Sequence, residues 1–121
     1  MIIKAPIKLI GNNGSPYTRK MVALLRYKHI PYKIIWGDPE EYLDQNNIEK
    51  PKPVLHPTFL LENSEEKIIA VTDSTPIIRK LEDEFTSRST IPSNPVLRFL
   101  NYLLEDYGDE WVTKFMFHYR W

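Results

Sequence analysis

The chain has 121 residues, 42% apolar and 26% charged, which suits one globular domain with a short appendage. Sixteen basic residues balance sixteen acidic ones, so no charge excess points to nucleic acid or an anionic membrane surface. No apolar run reaches about eighteen residues, so no membrane-spanning helix is expected. There is no cysteine, and the opening Met1-Ile2-Ile3-Lys4-Ala5-Pro6 lacks the long apolar core of a signal peptide, so a cytoplasmic location is expected. Ile7 to Gly11 reads as a strand, and Gly11-Asn12-Asn13-Gly14 as a turn. A helix opens near Pro16, where proline suits the first turn, and Tyr17, Met21, Leu24 and Leu25 form one apolar stripe along it. Arg19, Lys20, Arg26 and Lys28 fall mostly off that stripe. Pro31 stops the helix, and the β-branched and aromatic run Tyr32–Trp36 is a second strand. A strand–helix–strand unit of this length predicts a parallel pair with a right-handed crossover.

Asp38-Pro39-Glu40-Glu41 predicts one short helix in the polar stretch that follows. Thr58–Leu61 and Lys67–Ala70, joined by the polar turn around Asn63, read as an antiparallel hairpin. Asp73-Ser74-Thr75-Pro76 starts a helix with Ile77, Ile78, Leu81 and Phe85 on its apolar face. Residues 87–94 read as a linker rich in serine, threonine and proline. Asn94-Pro95 begins a last helix with Val96, Leu100, Leu103, Tyr107 and Trp111 on one stripe, before the aromatic end Phe115 to Trp121.

Ser15-Pro16-Tyr17-Thr18 carries the chemistry. It lies after a strand and at a helix start, where thiol–disulfide proteins carry C-x-x-C. Hydroxyls replace both thiols, so disulfide exchange by the protein's own groups is excluded. A helix N-terminus bearing a hydroxyl remains, and it suits another molecule's thiolate or anion. Serine there is also an ordinary helix cap, and Thr18 is a second candidate hydroxyl. His29, His56 and His118 show no metal-ligand spacing, so no metal is expected, and Gly11 and Gly14 match no phosphate loop.

The order β-α-β, irregular segment, β-β-α resembles the N-terminal domain of glutathione S-transferases. The residues that carry the likeness are Ser15-Pro16-Tyr17-Thr18, Ile30-Pro31-Tyr32, His56-Pro57 and Asp73-Ser74. The resemblance implies an α/β, thioredoxin-like fold (β-α-β-α-β-β-α) followed by one or two helices. Residues 1–86 would be the glutathione-binding domain, 87–94 the linker, and 95–121 the first helical part of a truncated all-α domain. It implies Ser15 as the catalytic hydroxyl that stabilises the glutathione thiolate. It implies a glutathione site made by Ser15, Tyr17, His56, Pro57, Asp73 and Ser74. His56-Pro57 is similar to the family's cis-proline position, where the backbone of His56 would pair with the cysteinyl part of glutathione. Asp73-Ser74 is similar to the pair that holds the γ-glutamyl end. Histidine before this proline departs from the small apolar residue usual there.

The implied function is transfer of glutathione, as co-substrate, to an electrophilic small molecule. The alternatives are a non-catalytic binding or protein-interaction module, and a glutathione-dependent reductase that uses only its substrates' thiols. The apolar stripe from Val96 to Trp111 predicts a homodimer that buries this helix.

Overall fold

The computed structural model describes residues 3–120. The chain divides into two compact units, Met1–Arg88 and Ser89–Trp121.

In the first unit, β1 (Ile7–Gly11), α1 (Pro16–Tyr27) and β2 (Tyr32–Trp36) form a parallel strand pair with a helical crossover. A short helix α2 (Pro39–Gln45) follows, capped by the Asp38 carboxylate, which accepts from the Glu40 N–H at 3.0 Å. Then come β3 (Thr58–Glu62), β4 (Ile68–Val71) and α3 (Ser74–Glu84). The sheet order is β2-β1-β3-β4, with β3 antiparallel to both β1 and β4. This is the predicted mixed α/β arrangement. The hairpin turns on Asn63, whose side-chain oxygen accepts from the N–H groups of Glu65 and Lys67.

Strand alternation sorts the sheet into two faces. Leu9 lies beside Ile34 on one side and Phe59 on the other, and Phe59 lies beside Val71. On this face Ile7, Leu9, Phe59 and Leu61 pack with Met21 and Leu25 of α1 and Ile77 and Leu81 of α3. Each such side chain, once fully buried, contributes about 1.5–3 kcal/mol, so this layer is what holds α1 and α3 on the sheet. On the other face, Lys8 and Leu60 share a cavity with Tyr42 and Asn46, which places α2 there.

One close fit fixes the start of α1. A Cβ on Gly11 would stand 2.5 Å from Thr18 Cγ2, so only glycine lets the helix approach the end of β1 this closely. Thr18 is buried, and its hydroxyl accepts from the Asn12 N–H at 3.4 Å.

The other end of α1 carries a buried ion pair. Lys28 Nζ lies 2.9 Å from Glu82 Oε1 of α3, with side-chain exposures of 0% and 9%, and 3.4 Å from the Ser87 carbonyl oxygen. Lys28 follows Met21 by two helical turns and so lies on the apolar stripe rather than off it.

The second unit is helical. α4 (Pro95–Asp106) runs through a π-helical turn at Tyr107–Val112 into α5 (Thr113–Arg120). Asn94 caps α4 by accepting from the N–H groups of Val96 and Leu97 at 2.9 and 3.2 Å. The Thr113 hydroxyl donates to the Asp109 carbonyl at 2.6 Å, where the π turn ends. None of the three segments has a buried residue, and the stripe residues Val96, Leu100, Leu103, Tyr107 and Trp111 are all exposed.

The Lys28–Glu82 pair makes a measurable forecast. Lys28→Met or Glu82→Leu alone removes one partner of this buried pair and is expected to cost about 3–5 kcal/mol. The double variant is expected to recover most of that loss. Urea denaturation of the four proteins checks this, and additive losses would contradict it.

Candidate functional site

Ser15 is the N-cap of α1. Its backbone is extended, with φ −84° and ψ 120°, and its Oγ accepts from the Thr18 N–H at 3.2 Å. The same hydroxyl donates to the His56 carbonyl oxygen at 3.4 Å. That bond is long for O–H···O, so the proton is held loosely and redirecting it costs little. The free N–H groups of the first turn and the helix dipole make this end of α1 electropositive.

His56 and Pro57 arrive from the turn before β3. The peptide between them is cis, Pro57 is buried, and Thr58 continues into the strand. The turn is tied by the Thr58 hydroxyl, which donates to the Leu55 carbonyl at 2.7 Å, and by the Thr72 hydroxyl, which donates to the Pro53 carbonyl at 3.2 Å. The second bond joins the segment before β3 to the segment before α3. The Nδ1 of His56 is enclosed and has no hydrogen-bond partner among the described residues.

Asp73 and Ser74 begin α3. Asp73 holds φ +78° and ψ 115°, a region that costs a residue with a side chain about 1–3 kcal/mol. Its Oδ1 accepts from the Thr75 N–H at 3.3 Å, and the residue is exposed. Ser74 is buried, and its Oγ accepts from Lys20 Nζ at 3.2 Å. Lys20 belongs to α1, about 7.5 Å along the axis from Ser15 at 1.5 Å per residue.

The sequence-predicted residues therefore fall into two linked groups. Ser15 meets the His56-Pro57 turn, and Asp73-Ser74 is joined to the same helix α1 through Lys20. Tyr17, half-buried, stands one residue inside α1 from Pro16. Thr18, the alternative hydroxyl, is buried against Gly11 and Asn12 and does not face solvent. Lys20, expected mostly off the apolar stripe, reaches Ser74 of α3. The signal that places it is its spacing, three residues after Tyr17 and four before Leu24, inside the period of the apolar stripe. Among the described residues, no cluster of three or more histidine or acidic side chains is placed to hold a metal ion, and no helix is long and apolar enough to cross a membrane.

Residues 9–89 match the family model for the N-terminal domain of glutathione S-transferases. Glutathione S-transferase U8 of Arabidopsis thaliana is 30% identical over 112 residues, which covers 88% of this chain and 46% of that protein. Among solved structures, the Tau class glutathione S-transferase of mango, Mangifera indica, aligns with a TM-score of 0.63 at 22% identity, over 90% of this chain and 48% of that one. A glutathione S-transferase from Methylobacterium radiotolerans, solved with glutathione sulfonate, aligns with a TM-score of 0.60 at 22% identity, over 77% of this chain and 42% of that one. These two likenesses establish a thioredoxin-like fold. The chain spans about half the length of each relative. Because the matched span holds the Ser15 turn, the His56-Pro57 turn and the start of α3 together, the chain belongs to the glutathione S-transferase family.

Proposed function

We propose that the protein binds glutathione and activates its thiol for transfer to an electrophilic small molecule. The observation that carries this reading is the position of the Ser15 hydroxyl, at the N-terminus of α1 and within 3.4 Å of the His56 carbonyl. In this reading residues 1–86 are the glutathione-binding domain, 87–94 the linker, and 95–121 the first part of a helical region. The relative from Methylobacterium radiotolerans, solved with glutathione sulfonate, supports the ligand class.

The chemistry follows from the charges. A cysteine-like thiol titrates near 8.5, so near neutral pH most of it is protonated and inert. Lowering that value by about two units requires about 2.7 kcal/mol of preference for the thiolate. Ser15 turns its O–H from the His56 carbonyl to the sulfur and supplies a charge-assisted hydrogen bond, and the N-terminus of α1 adds its dipole. The thiol proton leaves to solvent. The sulfur lone pair then forms the new S–C bond, and the electrophile either expels its leaving group or takes up the negative charge. The backbone of His56 pairs with the cysteinyl residue, Tyr17 and Pro57 line the same place, and Asp73 and Ser74 hold the γ-glutamyl end.

Ser15→Ala is expected to lower kcat/KM about 10- to 100-fold with an aryl halide as electrophile, a loss of about 1.4–2.7 kcal/mol. The glutathione Kd, read by calorimetry, is expected to change less than about threefold, because thiol and thiolate share the remaining contacts. Ser15→Asp keeps a helix cap, places a negative charge beside the sulfur, and is expected to be at least as inactive. Equal loss of binding and rate, or no loss in either, would count against the role.

A second reading is a binding module that works through α4 and α5, with or without transfer. The observation that favours it is the absence of any buried residue from Pro95 to Arg120 despite the many apolar side chains there. We infer that this surface mediates a homodimer. Sedimentation of the chain is expected to show a dimer, and Leu100→Asp with Trp111→Asp a monomer. A wild-type monomer at high concentration would contradict this.

A further inference from the structure

We propose that the cavity beside α2, on the sheet face away from α1 and α3, binds a small phosphomonoester with an aromatic or apolar body. The inference does not rest on the glutathione reading, because no residue that lines this cavity belongs to that candidate site.

Strand alternation opens the cavity. Lys8 and Ile10 stand two residues apart on one face of β1. Ile10 is buried and Lys8 is exposed, so the cover on that face stops between them. α2 ends at Gln45, and Asn47 turns the chain with a φ of +53°. The uncovered part is a cavity of about 400 Å³, within the usual range of small-molecule pockets. Half-buried Leu60, Tyr42 and Ile48 give it apolar walls, and Ile68 of β4, 48% exposed, extends them.

Charge is the second observation. Lys4, Lys8 and Lys67 line the cavity with a single acid, Glu62. Glu62 is engaged by Lys4 at 3.3 Å. Lys8 is also in register with Lys33 of β2, so two lysines leave the same face on strands about 4.8 Å apart. Like charges so placed repel. Lys8, Lys33 and Lys67 are exposed and have no ion-pair partner among the described residues. The surplus is local, because the chain as a whole is neutral.

A positive surplus beside apolar walls selects the ligand class. A phosphomonoester carries roughly −1.5 to −2 charges near neutral pH, where a carboxylate carries one. Its oxygens accept from the ammonium groups, and its charge offsets the repulsion between Lys8 and Lys33. An apolar body on the ester oxygen covers Leu60, Tyr42 and Ile48, which inorganic phosphate alone leaves in water.

The test is isothermal titration of the full chain with 1-naphthyl phosphate, beside 1-naphthoate, 1-naphthol and inorganic phosphate. Saturable binding of 1-naphthyl phosphate is expected, with each of the other three at least about tenfold weaker. Lys8→Met is expected to weaken it about tenfold, and Ile68→Ser about threefold. Lys80→Met makes the same charge change on α3, across the sheet, and is expected to have no effect. Circular dichroism checks each fold, and Lys67→Met serves if Lys8→Met does not fold. Amide NMR shifts are expected at Lys8, Leu60 and Ile68, and saturating glutathione is expected to leave the affinity unchanged. No saturable binding at tens of millimolar, equal losses in Lys8→Met and Lys80→Met, displacement by glutathione, or equally tight 1-naphthol overturns the proposal. A chain that binds 1-naphthyl phosphate in this way but no glutathione overturns only the reading above.

Discussion

The contact between Gly11 and Thr18 is the constraint on which the site depends. β1 must end, turn through Asn12 to Gly14, and enter α1 within a few residues. The missing side chain at Gly11 lets Thr18 close the joint, and the Thr18 hydroxyl takes up the Asn12 N–H. Ser15 then has one place to stand, at the head of α1 and beside the turn that leads into β3. Packing enforces the same geometry from below, because Leu9, Phe59, Met21 and Ile77 form a single core between the sheet, α1 and α3. A shift of α1 would have to break that layer and the Lys28–Glu82 pair at its far end.

The candidate site brings together two helix starts rather than a cluster of acids and bases. α1 and α3 each begin with a side chain that caps its own backbone, Ser15 in one case and Asp73 in the other. Each cap leaves other N–H groups of its first turn without helical acceptors. Positive potential therefore comes from the backbone, which carries no titrating proton and holds its charge across the whole pH range. Lys20 ties the two starts together, since it grows from α1 and ends on Ser74 of α3. Such an arrangement suits a ligand that is negative at more than one point.

Much of this was legible in the sequence because the signals were local. Proline after serine marked the start of α1, the run Tyr32–Trp36 marked β2, and Asp73-Ser74 marked the start of α3. The parallel pairing of β1 and β2 followed from the length of the connection between them. What escaped was orientation. Lys20 and Lys28 are expected mostly off the apolar stripe, yet both lie within its period, and each finds a partner on α3. The hairpin of β3 and β4 was visible, but not that its neighbouring loops are tied by Thr72 to Pro53. The positive φ of Asp73 was also invisible, because an aspartate at a helix start normally needs no unusual backbone. Only family likeness points to the His56-Pro57 position, since no local pattern in the chain distinguishes that proline from the nine others.

The central claim is that the head of α1 turns the thiol of a bound tripeptide into a thiolate. The direct measurement is the ultraviolet absorbance of the glutathione thiolate, titrated against pH in the presence of saturating protein. The account predicts that the absorbance rises about two pH units below that of free glutathione. A thiol that titrates as it does in water, while calorimetry shows the glutathione to be bound, would contradict it.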